Sequence, residues 1–355
     1  MKKLILFSLA LAFNASADWP QFRGPQGNGV TTDKNLPVTL SPESLKWSVD
    51  LPGRGLSGAI VMGDKVIVTC SSGPTQTRLH VICLSAKDGS TIWHRQFWAT
   101  GRTMCHSKTS VAAPTPCSDG KLVYAVYSSN DVVCLDLDGN LQWLRGLTAD
   151  YANVSNSLGM SSSPVVSGGT LVVQVENDSE SYTLGLAKGS GINRWRLDRP
   201  KAANWTSPVV LRNGLVALQS SKGVHAVRAG DGTKAWSYDD GASTIPSSAI
   251  FDGVLYVPSR GITALELNQG DAANTPKQLW QSSRLSPATA SPIVMGDKVF
   301  TVNRAGVLTA GSRTEGKRLW QTRLKGPFSA TPVVAGKHLY FFNEPGLVQV
   351  VDVSG

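Results

Sequence analysis

The chain has 355 residues, of which 41% are hydrophobic and 17% charged, with a net charge of +9. These values are ordinary for a globular protein and suit one large all-β domain or two medium ones. The positive balance favours anionic partners only weakly. No run of like charges marks a nucleic-acid arm, so nucleic acid is not an expected partner.

The chain opens with Lys2 and Lys3, an apolar run from Leu4 to Phe13, and small residues from Ala15 to Ala17. This order predicts a signal peptide over residues 1–17, cleaved after Ala17. The run is too short to span a bilayer. No cysteine follows the expected cut, so neither a lipid anchor nor a membrane span is expected, and the mature protein should be periplasmic or secreted. Residues 18–43 form a lead-in containing "WPQFRGPQGNGV". Either Trp19 and Phe22 pack on the following domain, or the segment is a recognition element. Packing is favoured, because paired aromatics rarely stay exposed without a reason.

From residue 44 to 355 the sequence repeats. Each unit opens on Ser/Thr-Pro and two β-branched residues, as in "SSPVV" (Ser162 to Val166), "TSPVV" (Thr206 to Val210), "ASPIV" (Ala290 to Val294) and "ATPVV" (Ala330 to Val334). Plainer openings begin near Leu56, Ala112 and Pro246. A Gly turn, two strands and a second Gly turn follow, and then a tryptophan. Gly89, Gly139, Gly191, Gly232 and Gly316 precede Trp93, Trp143, Trp195, Trp236 and Trp320. Gly270 precedes Trp280 through a longer turn. Short Val/Ile/Leu/Tyr runs between Gly, Asp, Asn and Ser are strands, and no stretch has helical periodicity. Four strands every ~40–50 residues predict propeller blades, each burying its faces against its neighbours. The tryptophans fill the space between blades. Cys83 and Cys134 share a repeat position with Gly185, Ala226, Ala264 and Ala310, so both are read as small core residues. Cys105 and Cys117 could bridge, and the pairing of Cys70 is open.

Seven openings are followed by only six outer strands. The last copy stops at "VVDVSG", whereas "SLKWSVDL" (Ser44 to Leu51) precedes the first opening with a spare tryptophan, Trp47. The expectation is a seven-bladed β-propeller whose ring is closed by an N-terminal strand, Ser44–Leu51, completing the last blade. The structural docking residues would be Trp47, Trp93, Trp143, Trp195, Trp236, Trp280 and Trp320.

"LSAKDGSTIW", "VRAGDGTKAW" and "VVCLDLDGNLQW" resemble the tryptophan-docking repeat of the pyrroloquinoline-quinone-like propellers. That superfamily includes quinoprotein alcohol dehydrogenases and the propeller subunit of the outer-membrane-protein assembly machine. The likeness runs from Ser44 to Gly355. It specifies fold more than function, since docking tryptophans touch no ligand. The resemblance implies that an enzyme of this kind would hold quinone and Ca²⁺ with carboxylate or amide ligands, a catalytic Asp and an adjacent Cys-Cys disulfide. This sequence has no adjacent cysteines and few carboxylates in the loops facing the axis; Asp150, Asp198, Asp239 and Asp240 stand near the ends of outer strands. No cofactor, no metal site and no catalytic residues are therefore expected. The leading reading is an exported non-catalytic binding or scaffold module for protein or glycan partners in the bacterial envelope. The alternative is a PQQ-dependent dehydrogenase, with calcium, or a polysaccharide-processing enzyme. His225 and His338 are read as structural, because no partner spacing supports a metal.

A propeller places the longest loops around one mouth of its channel. Here these are Trp98–Val111 and Thr148–Met160, and long loops on a rigid scaffold are the usual seat of function. The candidate binding face gathers Arg54, Arg102, His106, Lys108, Tyr151, Asn153, Asn156, Asn204, Trp205, Lys222, Arg260, Asn303, Arg304 and Asn343. Trp205 has two readings, an exposed stacking platform or a residue packed beneath the Tyr151 loop.

Overall fold

The computed structural model describes residues 18–33, 36–154, 157–267 and 275–354. The expected signal peptide with its cut after Ala17, and also Asn156, Gly270 and Gly355, lie outside the described residues. Within them the chain forms seven four-stranded sheets. The only helical pieces there are three short 3-10 turns, Pro42–Ser44, Leu147–Ala149 and Arg212–Gly214.

In six blades the strands follow chain order as an antiparallel meander. Blade 1 is Ile60–Met62, Lys65–Ser72, Arg78–Ser85 and Thr91–Trp98. The innermost strands of blades 2 to 6 start at Cys117, Val165, Val209, Ala249 and Ile293. The middle strands are buried on both faces and rich in Val, Leu and Ile, and clusters of these side chains fill the gaps between adjacent blades. The seven-bladed propeller expected from the repeat is the observed architecture.

The docking repeat has a clear physical basis. Trp93 donates its indole N–H to the Leu137 carbonyl of blade 2 at 3.0 Å. Trp143, Trp195 and Trp280 make the same bond to Lys188, Ala229 and Arg313 of the next blade. Each ring lies flat on the turn glycine of that blade. At Gly139, where φ is +80°, a Cβ would come within 2.6 Å of the Trp93 ring, so only glycine fits. Opposite each tryptophan in its own sheet stands a small residue: Cys83, Cys134, Gly185, Ala226, Ala264 and Ala310. A Cβ on Gly185 would sit 2.1 Å from Trp195. Both cysteines are fully buried, and all five cysteines are free, so Cys105 and Cys117 form no bridge.

The ring closes differently from the expectation at one point. An N-terminal strand does complete the last blade, but it is Val30–Thr31, not Ser44–Leu51. It pairs in parallel with Val333–Ala335, on the channel side of that blade. Ser44–Leu51 joins no ladder. Its side chains hold it instead: Trp47 donates to the Ala86 carbonyl at 3.1 Å and lies over Gly89, and Leu51 packs with it on blade 1. Trp47 thus takes the docking position expected of it without a strand beneath it. Trp320, which faces blade 7, has a buried indole N–H with no partner.

Ahead of Val30 the chain crosses the end of the channel. Asp18 caps the Gly63 turn of blade 1, and Trp19 exchanges two backbone bonds with Val61. The Pro20 carbonyl accepts from Ser118 of blade 2. Arg23 then reaches the Ser248 carbonyl of blade 5 and the Pro292 carbonyl of blade 6, both at 2.7 Å. Arg23 and Gly24 are both left-handed, with φ of +66° and +77°. Only a sharp reversal of this kind drives the arginine inward while Trp19 covers Gly24. The segment braces blades 1, 2, 5, 6 and 7 across the axis.

Candidate functional site

The axial channel is a blind cavity of about 730 Å³. Its floor is the N-terminal brace, with Trp19, Phe22 and Arg23. Its mouth is formed by the loops entering the innermost strands and by Phe342, Asn343 and Glu344.

The wall between them is made by the Ser/Thr-Pro openings. The residue before proline is held extended, and proline, which has no N–H, leaves no unpaired donor at the strand edge. In blades 2, 3, 4, 6 and 7 the hydroxyl residue precedes proline, and Ser247 of blade 5, followed by Ser248, takes the same place in the relay. Gly58 N–H donates to Thr115 Oγ1, Thr115 N–H to Ser163 Oγ, and Ser163 N–H to Ser207 Oγ, at 2.9 to 3.0 Å. Ser207, Ser247 and Ser291 continue the relay to Ser247, Ser291 and Thr331 at 3.0 to 3.1 Å. Six hydroxyls thus circle the channel and tie each blade to the next. Blade 1 leaves a gap, because Gly58 has no side chain.

Arg23 is 5% exposed. Burial lowers its pKa to about 10, so it is cationic at neutral pH. Its Nε–H is buried without a partner.

The structure sorts the expected face. Arg54, Lys108, Trp205 and Asn343 line the cavity. Arg54 donates to the Ser107 carbonyl at 2.6 Å, and Lys108 spans to Glu344 of blade 7 at 3.6 Å. Trp205 is half-buried; its N–H donates to the Gly159 carbonyl of the Thr148–Met160 loop, and the residue still lines the cavity. Asn343 is consumed by its own turn, donating to Lys325 and accepting from Leu347.

The remaining expected residues stand elsewhere. Tyr151 leans outward on Tyr182 at 4.5 Å, beneath Arg196, and Asn153 bonds through its backbone to Ser179. Asn204 is buried and donates to Glu176 at 2.9 Å. Asn303 caps its turn at Ala305 and Val307. Arg260 pairs with Asp240 at 2.9 Å, and Arg304 and Lys222 are exposed outside the cavity lining. Arg102 contacts the Met104 sulfur, and His106 accepts from Lys108 N–H, neither facing the cavity. Tyr151, Asn204 and Asn303 were expected at the mouth because their loops lead there; local partners turn them away.

Buried carboxylates are committed to structure. Glu176 accepts from Arg199 at 2.6 Å, and burial raises its pKa against the pull of that arginine. Asp131 accepts from Thr100 and Ser129, and burial raises its pKa as well. The donor set does not fit a quinone with its calcium. Among the described residues no three His, Cys, Asp or Glu side chains converge, and Glu344, at the rim, is the one carboxylate lining the cavity.

A family model described as outer membrane protein assembly factor BamB matches residues 29–238, 155–275 and 269–355. The chain belongs to this family of quinoprotein-like propellers. A curated relative, outer membrane protein assembly factor BamB of Moranella endobia (strain PCIT), is 23% identical over 272 residues. That match covers 74% of this chain and 63% of the relative, less than two thirds of its length. Among solved structures, BamB from Moraxella catarrhalis aligns with a TM-score of 0.61 at 18% identity, over 84% of this chain and 86% of that one. A europium-containing methanol dehydrogenase aligns at 0.70 with 12% identity, over 96% and 84%. At such identities the structural likeness carries the fold. No helix among the described residues is long and apolar enough to cross a membrane.

Proposed function

We propose that the protein is an exported, non-catalytic propeller that docks protein partners in the bacterial cell envelope through the mouth of its channel. The reading is supported by membership of the assembly-factor family and by one observation at the rim. Leu56, Ile245 and Phe342 are 51%, 45% and 47% exposed around a single opening. Arg54 and Lys108 flank them. Exposed apolar side chains beside cations are the composition of a protein-docking patch, with an apolar centre and a polar rim. A glycan would use several stacked aromatic faces, and the rim offers Phe342 and the half-covered Trp205 beside the aliphatic Leu56 and Ile245. The buried acids engaged by Arg199, Asn204, Thr100 and Ser129 fit a scaffold rather than acid–base chemistry.

The test is capture of envelope proteins on immobilised protein, comparing parent with Phe342→Asp and Leu56→Asp. Loss of about tenfold or more of the captured partner, with an unchanged melting curve, supports the reading. Capture unaffected by both changes, or binding restricted to a glycan array, overturns it.

A further inference from the structure

The inner wall of the cavity is lined by donors that face no acceptor. Thr115, Ser163, Ser207, Ser247, Ser291 and Thr331 each receive a backbone N–H on oxygen. A hydroxyl that accepts still has a proton to donate. Among the described residues none of the six donates it to a protein group. The first five are 2–5% exposed, and all six line the cavity with Arg23. Two of the arginine N–H groups meet carbonyls, Nε–H meets nothing, and no carboxylate pairs with it among the described residues. Glu344 sits at the other end of the cavity, against Lys108.

We propose that the cavity is a binding site for an oxyanion, the carboxylate or phosphoryl group of a small ligand, encircled by the hydroxyl ring with the Arg23 charge beneath it. Water can accept from the hydroxyls, but it does not neutralise a buried guanidinium, and a buried charge is costly until something pairs with it. An oxyanion answers both needs at once, since its oxygens accept from several donors and its charge offsets the arginine. The volume lies within the range of small-molecule sites. Brace and ring together make the site, so an isolated repeat would not form it. It shares the cavity with the docking rim but uses none of the rim residues.

Calorimetric titration of the full chain with inorganic phosphate, acetate and citrate tests this, with glucose as the neutral control. The expected result is saturable one-to-one binding of at least one oxyanion and none of glucose; the stronger arm tells phosphoryl from carboxylate. Thr331→Val keeps the side-chain shape and removes one donor, and should weaken binding about threefold to tenfold. Arg23→Gln should weaken it by more than about tenfold. If Arg23→Gln does not fold, Thr331→Val and Ser247→Ala carry the test, and Arg304→Ala, on the outside, should leave affinity unchanged. No saturable binding of any oxyanion, or affinities unmoved in the ring variants, would overturn the proposal.

Discussion

At the floor of the channel, Arg23 is 5% exposed and held by two carbonyls at 2.7 Å from two different blades. At the mouth, Lys108 reaches Glu344 at 3.6 Å with 73% of its side chain in solvent. Both contacts join distant parts of the ring through a cation, yet they do different work. The floor contact is desolvated and shared with backbone, so losing it strands two buried acceptors. The mouth contact is screened by solvent, so its loss should scarcely register in stability. One end of the propeller is built to hold the ring, and the other carries a contact that solvent weakens.

The largest expected effect comes from removing the floor. Deleting residues 18–31 takes away the fourth strand of blade 7 and the brace, and should lower the melting temperature on the order of 10 °C or more. A deletion that melts like the parent would mean the ring closes without it.

A second change probes the layer just under the mouth. Glu176→Gln leaves Arg199 buried, its side chain 2% exposed, without a charge partner. Breaking such a pair costs about 3–5 kcal/mol, measurable by denaturant unfolding. A loss near that expected for a surface pair would show that this layer is as loose as the rim.

Acid should separate walls from floor. Burial, then His94 and Arg78, holds the His80 pKa below 6.5; burial, then Arg199, does the same for His225 against the pull of Asp239. The folded protein therefore binds fewer protons than the unfolded chain just below pH 6.5. The stability these groups contribute is complete above that pH and is lost as pH falls through their lowered values. Arg23, at about 10, adds no slope there. Glu176 and Asp131, raised by burial, act in the opposite direction, so the histidine contribution is read as a difference: unfolding free energy measured from pH 7.5 to 5 should fall more in the parent than in His80→Gln. Superimposable slopes in the two would contradict this.

The smallest effect belongs to the rim: Lys108→Ala should change stability by less than about 1 kcal/mol.

The blades were legible because each repeats three coupled demands: a tryptophan, a turn glycine for it to lie on, and a small residue opposite it. Six near-copies expose that pattern, and Trp47 could be placed by it even though its segment forms no strand. The path of the brace across the axis was not legible. "WPQFRGPQGNGV" occurs once, and the contacts of Arg23 lie 225 and 269 residues away in sequence. No local pattern marks such a partner. Ser/Thr-Pro was visible as a blade opener, but its role as a channel-lining relay depends on neighbouring blades being side by side. At the mouth the loops were legible and the side-chain directions were not. Asn343 and Asn303 are spent on their own turns, Asn204 on Glu176, and Tyr151 on Tyr182.

Amide hydrogen exchange tests the central claim most directly, namely that the N-terminal segment is part of the closed ring. Peptides spanning residues 18–31 should exchange as slowly as the inner strands, because Trp19, Gly24, Gly27 and Gly29 donate their N–H groups to the Val61, Gln21, Gly24 and Arg23 carbonyls. The mouth loop 102–109 should exchange fast. If residues 18–31 exchange as fast as that loop, the brace does not hold and the channel has no floor.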